Sequence, residues 1–475
     1  MRRYLSDKST VLAVVTVLLV APFFVFPDVP LYDLPDHIAR QHILFGDGAP
    51  GAAQYYEAHW RLVPNLAMEG FVFLFHRLTG IEGAVRLFLA CTAAQLFWGT
   101  LAVSLALHGK ISRLGVLAAL FVYNGPFLFG FVNLCFGLGM ALWVFALWMI
   151  WRERVWALPV FAALASLILV AHLFAFAVYA LLILTYEAAF LLKARRRKRK
   201  TLSPALLPLL HLLVPLAIYF GLMPREVAAS EFYYTSALLK FSELRSAVGF
   251  YNPSFDALSL LALLLGSVAV IHRIALDRDV ALPLAALALV YFLLPHQFGD
   301  STFVDYRVPA AAVLLLAAAV DWRQGAAPRR RTVEAFILAL FLLRWGVTMA
   351  QWQSWQADYA EYRAAFAQLP EGAKLLPLSA DADVIDPEEH PPLAHMAALA
   401  VTLRGALIPS LFAELDNQIL VYREPYRALA TQYPSAALAP QFDYVLLIRP
   451  DGISNPPPYD EIARGRSFVL GRLTH

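Results

Sequence analysis

Residues 66–78 read LAMEGFVFLFHRL, and whether this stretch crosses a bilayer decides the topology of everything after it. It is apolar enough to suggest a crossing, but it is short and carries Glu69 and Gly70. A span needs roughly 20 predominantly apolar residues. The sequence on either side supplies the test, because Lys and Arg in short loops set orientation. Basic residues stand at Arg2-Arg3, Lys110 and Arg113, Arg152 and Arg154, and in KARRRKRK (193–200). They recur at His272-Arg273 with Arg278, at Arg323, and in PRRR (328–331). Candidate spans fall at about 10–27, 83–108, 113–127, 131–151, 157–172, 173–192, 203–223, 257–275, 279–295, 307–321 and 332–350. With all the basic clusters in the cytoplasm, every one of these alternates correctly. Counting 66–78 as a further span would put KARRRKRK outside, so 66–78 is expected to be an interfacial helix on the outer membrane surface.

Composition agrees with a membrane chain. The protein has 475 residues, of which 60% are hydrophobic and only 15% charged, where a soluble domain carries about 25% charged residues. Its mean hydropathy is +0.60. The expected fold is an α-helical polytopic membrane protein of about 11 transmembrane helices. Its N-terminus is cytoplasmic, and the first apolar run reads as an uncleaved span. The net charge of +3 gives no indication of nucleic acid as a partner. Cys91 and Cys135 are the only cysteines and both lie in apolar segments, so neither a disulfide framework nor a thiolate metal site is expected.

The outer segments are then the first loop (28–82), 224–256, 296–306 and everything after 350. Composition shifts sharply at 351, which divides a membrane domain (1–350) from an accessory domain (351–475). QWQSWQADYAEYRAAFAQL (351–369) is polar and helical in period. KLLPLSAD (374–381) and FDYVLLIRPDG (442–452) read as buried strands, and LAHMAALAVTLRGALIPSLFAEL (393–415) as a helix. Strands alternating with helices suggest a small extracytoplasmic α/β domain.

The polar residues left at the outer surface carry the functional signal. In LYDLPDHIAR (31–40), Pro35 suits the first turn of a helix and Asp33 its cap. Residues four apart share a face, pairing Asp33 with His37 and Asp36 with Arg40. A carboxylate at a membrane-surface cleft can take a proton from an attacking hydroxyl, or hold a sugar or metal. The plainer alternative is a cap and a salt bridge on a solvated loop. Asp305 and Arg307 stand at the mouth of a span, Arg225 and Lys240 flank Phe232-Tyr233-Tyr234, and His59 and Arg61 precede the 66–78 stretch. Guanidinium groups with aromatics suit a lipid phosphate and its sugar. Arg344 lies within an apolar run, where a charge needs a partner or a wet cavity, or else snorkels outward. Gly137 and Gly139 fit close helix packing.

A first span, a long outer loop with an early Asp (Pro27–Asp36), the helix at 66–78 and GIEGAVRLFLA (80–90) opening the second span together resemble the GT-C superfamily of polytopic glycosyltransferases. That superfamily includes the protein O-mannosyltransferases, the aminoarabinose transferases and the RgtA/B/C/D-like bacterial enzymes. The resemblance covers about 350 residues and is architectural more than motif-level. It implies inverting transfer of a sugar from a polyprenyl-phosphate carrier to a lipid, glycan or protein acceptor outside a bacterial inner membrane. Asp33 or Asp36 would be the general base, with Asp33 preferred and His37 in support. The cations Arg40, His59, Arg61, Arg225, Lys240, Arg307 and Arg344, with Asp305, would hold substrate. Two Asp and one His are compatible with Mg²⁺ or Mn²⁺ and require neither. The alternatives are a transporter or flippase of a lipid-linked glycan, whose midplane charges and repeats are not evident here, and a non-catalytic assembly protein.

Overall fold

The computed structural model describes residues 2–46, 51–196, 207–224, 232–299, 301–323, 330–379, 393–413 and 418–474. Arg225, half of KARRRKRK and the first two residues of PRRR lie outside the described residues. The chain is a helical membrane protein. Among the described residues, five helices are long and apolar enough to cross a bilayer: Ala67–His108, Val132–Trp151, Leu173–Lys193, Pro253–Val270 and Arg330–Phe366. Shorter apolar helices include Leu158–Ala171, Ala281–Leu293 and Val308–Ala319. Leu258, Leu264, Leu265 and Val268 stand exposed on one helix, as do Leu342 and Leu343 on another. Contiguous apolar exposure on that scale marks a lipid-facing surface.

The stretch at 66–78 is helical from Ala67, and neither Glu69 nor Gly70 interrupts it. The break comes at Gly80, whose φ of +73° and ψ of 169° fall outside the helical region and suit only glycine. Two helices therefore meet there, and the second runs on to His108. Over 113–127 the expected single helix is replaced by a 3₁₀ helix, Arg113–Phe121, and a short α-helix, Gly125–Phe129. Asn124 and Pro126 restart the chain between them. His172 is extended (φ −167°, ψ 127°) and separates Leu158–Ala171 from Leu173–Arg196. Gly137 and Gly139 sit where helices touch: a Cβ on Gly137 would lie 2.6 Å from that of Ala175, and one on Gly139 2.5 Å from Gln95 Cγ. Small residues allow that approach.

The loops sort to two ends. At one, Lys110 pairs with Asp321 (3.0 Å), Lys193 with Asp279, and Ile274–Leu276 pairs antiparallel with Val320–Trp322. At the other, the first loop gathers with the turns at 124–131 and 246–252 and with the C-terminal segment: Tyr32 N–H donates to Leu128 O, and Tyr251 Oη to Pro30 O. Arg86, from the motif opening the second span, donates to the carbonyls of Phe23 and Phe26 at 2.9 and 2.7 Å and to that of Pro27. It thereby satisfies the acceptors left open where the first helix ends.

Helix Arg330–Phe366 runs past residue 350 without a break. Beyond it, Leu375–Ser379 and Tyr444–Ile448 pair in parallel, and a four-stranded sheet is completed by Phe468–Leu473 and Tyr459–Arg464, antiparallel. The helix expected over 393–415 shrinks to Ala398–Arg404. Gly405, with φ +59°, ends it, and Leu407 then bridges to Lys374. Tyr56–Ala58 of the first loop pairs antiparallel with Leu420–Tyr422. Tyr55 and Tyr56 share one buried cluster with Leu375, Val445, Phe468, Tyr362 and Phe366. First loop and C-terminal segment thus pack as one body.

Candidate functional site

The site is built on a turn. Asn124 caps Gly125–Phe129, its Oδ1 accepting from Phe127 N–H at 3.0 Å, and Gly130 leaves the helix with φ +109°. The carbonyls this exposes receive the first loop: Tyr32 and Asp33 donate their backbone N–H groups to Leu128 O (3.3 Å) and Phe129 O (2.9 Å). A Cβ on Gly130 would fall 2.8 Å from the backbone N of Asp33. From this anchor Pro35 starts helix Leu34–Phe45, which buries Asp36, His37, Arg40 and Gln41. A helix that buries so many polar groups needs a partner for each.

The partners are not those the i, i+4 spacing suggests. Asp33 occupies the cap position but makes no side-chain cap bond. Its Oδ1 faces His395 Nε2 at 3.5 Å, and Asp36 Oδ2 is in direct contact with Nδ1 of the same imidazole. Asp36 Oδ1 has no hydrogen-bond partner among the described residues. His37 donates from Nε2 to Gly130 O at 3.2 Å and so does not support Asp33. Burial, with the Arg40 charge adding to it, pushes the His37 pKa down to about 3. The expected Asp36–Arg40 pair is replaced by Arg40–Glu69, 3.1 Å apart with both groups buried, and Arg40 also donates to Gln418 Oε1. Gln41 donates to Glu69 at 3.1 Å. Glu69, the charge within the apolar 66–78 stretch, is the counter-ion of this network.

Burial dominates the electrostatics. It raises the Asp33 carboxyl to about 7, with His395 opposing and Asp36 reinforcing the rise. Asp36 is raised as well, again by burial against the pull of His395. For His395 burial works against the charged form, yet contact with Asp36 and the charge of Asp33 outweigh it and lift the pKa to about 9. The centre therefore holds an imidazolium between two carboxyl groups.

Around it stand aromatics and one further cation. Tyr32 stacks on Phe129 (4.7 Å between centroids) and meets the His395 ring edge-on at 5.0 Å. Phe129 packs on Phe131 and Phe303. Arg307 lies over Phe131, 4.9 Å from the ring centre, and donates to Thr302 O at 3.0 Å. Its Nε has no hydrogen-bond partner among the described residues. Arg307 and the Asp33 carboxyl act on each other as opposite charges.

The other sequence-derived cations are spoken for. Lys240 pairs with Asp305 (2.8 Å) and donates to Tyr291 O and Leu294 O. Asp305 also bonds His296 at 3.0 Å. Arg344 finds its partner in Asp256 (2.7 Å) and donates to Ser259 Oγ at 2.7 Å and to Val248 O; it does not snorkel. Arg61 donates to Gln418 O at 3.0 Å, and exposed His59 meets Glu57 at 2.9 Å. The 31–40 cluster and Arg307 come together, whereas Lys240 with Asp305 and Arg344 with Asp256 form separate pairs, and Arg225 lies outside the described residues.

His395 is the member the sequence reading missed. It is the one ionisable residue in LAHMAALAVTL (393–403), an apolar stretch read only as a helix. For metals, Glu243, His296 and Asp305 each offer a ligand atom within 4.8 Å of the others, but Lys240 already neutralises Asp305. Asp33 and Asp36 stand on either side of the His395 ring, each at a different ring nitrogen, and these three residues do not bring three ligand atoms within 4.8 Å of one another, so a divalent ion does not fit between them. Comparison with known proteins found no family model that matches the chain and no curated protein that matches it.

Proposed function

We propose that this protein is an integral membrane glycosyltransferase of the GT-C type, which moves a sugar from a polyprenyl-phosphate carrier to a lipid, glycan or protein acceptor. The reading includes about 11 spans, a bacterial inner membrane, a cytoplasmic N-terminus and an extracytoplasmic C-terminal α/β domain. The observation that carries it is the centre formed by buried Asp33 and Asp36 with half-buried His395 between them, with Arg307 beside it and aromatic walls around it, set where the first loop and C-terminal segment close over the ends of apolar helices. Charged groups are costly near lipid unless they have work there.

In this reading Arg307 holds the carrier phosphate, through a guanidinium suited to phosphate oxygens. Tyr32, Phe129 and Phe131 offer apolar faces to the sugar ring. Asp33 takes the proton from the acceptor hydroxyl as its oxygen attacks the anomeric carbon. The bond from that carbon to the phosphate oxygen breaks, the phosphate leaves with the electron pair, and the configuration inverts. A base with pKa near the working pH is the efficient choice, and Asp33 at about 7 meets it.

The test is transfer from radiolabelled polyprenyl-phosphate sugars in membranes holding wild type, Asp33→Asn or Asp36→Asn at equal expression. Asp33→Asn is expected to lower the rate by about 10²–10⁴-fold, the usual contribution of a general base. Wild type that transfers from no donor, or an active enzyme indifferent to both substitutions, would remove the basis for the reading.

A further inference from the structure

A helix at a water-facing surface turns its polar side chains out and packs its apolar ones inward. The short helix Ala237–Glu243 does the reverse: it buries Lys240 and Glu243 and exposes Leu238, Leu239 and Phe241, with Leu238 81% exposed. Lys240 pairs with Asp305 at 2.8 Å and donates to Tyr291 O (3.1 Å) and Leu294 O (2.6 Å). Those carbonyls lie where helix Ala281–Leu293 ends, and a helix end leaves such acceptors open. Tyr291 Oη donates in return to Lys240 O. The charge of this segment is therefore spent inside the protein, and what it turns outward is hydrocarbon. Just before the helix, Phe232–Tyr233 pairs antiparallel with Gln297–Phe298. Phe232 stands opposite Phe298 with the ring centres 5.1 Å apart, and both rings are exposed, as are Tyr233 and Tyr234.

What covers this surface follows from what it joins. Phe241 packs on Phe292 at 5.3 Å. Phe292 belongs to the exposed stripe of helix Ala281–Leu293, with Ala281, Ala285, Ala288, Leu289 and Leu293. That stripe holds no polar residue, and apolar exposure of this kind on an apolar helix marks a face turned to lipid. The surface at 232–241 continues it, and its tyrosines suit the boundary where lipid meets water. We propose that residues 232–241, together with Gln297–Phe298, are seated in the lipid leaflet at the end of the molecule that holds the Asp33 centre. The partner of this surface is phospholipid, with acyl chains against Leu238 and Phe241 and the lipid–water boundary at Tyr233 and Tyr234. The seat is tied to the centre. Val304 N–H donates to His296 O at 2.9 Å, closing the hairpin that carries Phe298. Asp305, held by Lys240, then opens the turn Asp305–Arg307. The depth of Arg307 is thus set relative to the leaflet. The inference does not rest on the transferase reading, because its measurement is lipid exposure.

The measurement is electron paramagnetic resonance of a nitroxide on single cysteines in the full chain, reconstituted in nanodiscs of phosphatidylcholine and phosphatidylglycerol, with Cys91 and Cys135 replaced by alanine. Oxygen concentrates in lipid and a neutral nickel chelate in water, so the ratio of their collision rates with the label reports its surroundings. Leu264→Cys, on an exposed face of an apolar helix, and Tyr433→Cys, exposed on the C-terminal segment, calibrate the two extremes. Leu238→Cys and Phe298→Cys are expected to give an oxygen-to-nickel ratio near that of Leu264→Cys, and Tyr234→Cys a ratio between the calibrants. Leu239→Cys and Phe232→Cys serve if either of the first two does not fold. Ratios at Leu238 and Phe298 that match Tyr433→Cys would show a surface in water and overturn the proposal. Labels shielded from both reagents would show a protein partner, a second copy of this chain included, and overturn it equally. No donor or acceptor enters the assay, so a chain that transfers no sugar yet gives the expected ratios would count against the transferase reading alone.

Discussion

At the residue scale, one imidazole reassigns the roles in the 31–40 cluster. Spacing alone pairs Asp33 with His37 and Asp36 with Arg40, because side chains four apart on a helix are neighbours. That local proximity loses to tertiary partners: Arg40 gains a buried carboxylate in Glu69, and His37 gains the Gly130 carbonyl exposed by the turn. The positions Asp33, Asp36 and Arg307 were legible because charge beside a membrane calls for a reason. His395 was not, since it lies more than 350 residues away in the sequence and no local pattern links it to the loop. A pH profile follows from these groups. The Asp33 pKa is raised to about 7 by burial, so the base is protonated below that value and the rate should climb as pH rises through it. His395 stays charged up to about 9, where loss of its proton should bring the rate down. The expected transfer profile is a bell between about 7 and 9, read as the titration of a coupled group, and His395→Gln should lose the alkaline limb. A flat wild-type profile from pH 6 to pH 10 would contradict the assignment.

At the scale of elements, the apolar helices follow from long hydrophobic runs, whereas their junctions depend on single residues. Gly80 breaks the helix that runs through Glu69 and Gly70, since its φ of +73° is a conformation open to glycine, and Glu69 is neutralised by Arg40. The stretch at 393–415 has a helical pattern, but Gly405 ends the helix and Leu407 is drawn to Lys374; strand pairing there outweighs propensity. Gly130 is the junction that matters most to the site. Its φ is +109°, and a Cβ would press on the Asp33 backbone at 2.8 Å. Gly130→Ala should therefore displace the first loop and cost roughly 1–3 kcal/mol in local strain. Because Gly130 lies at the end of a short helix rather than within a span, the loss of transfer should exceed the loss of stability. Melting in detergent alongside initial rates checks this, and full activity in the alanine variant would show that Asp33 does not depend on this turn.

At the scale of the whole molecule, the question is whether the C-terminal segment is a lid or part of the centre. A hydropathy reading divides the chain at 350 because composition changes there, and composition is blind to contacts. The structure runs one helix across that point, from Arg330 to Phe366. It also places Tyr55 and Tyr56 of the first loop in the same buried cluster as the C-terminal sheet. Since His395 reaches both carboxylates from this segment, a lid that swung away would open the centre and strip it of its cation. A cross-link can separate the two cases. Glu57 and Val421 are directly opposed in the antiparallel pairing of Tyr56–Ala58 with Leu420–Tyr422. Opposed residues in such pairs have Cα atoms about 4.5–5.5 Å apart, within the span of a disulfide. A Glu57→Cys/Val421→Cys variant, with Cys91 and Cys135 replaced by alanine, should form the bond on oxidation and keep its transfer rate within about twofold, a change of about 0.4 kcal/mol. Recovery of a much lower oxidised rate by reductant would mean that the segment must lift during turnover. Retention of activity in the locked state would establish that the segment stays in place while the chemistry proceeds beneath it.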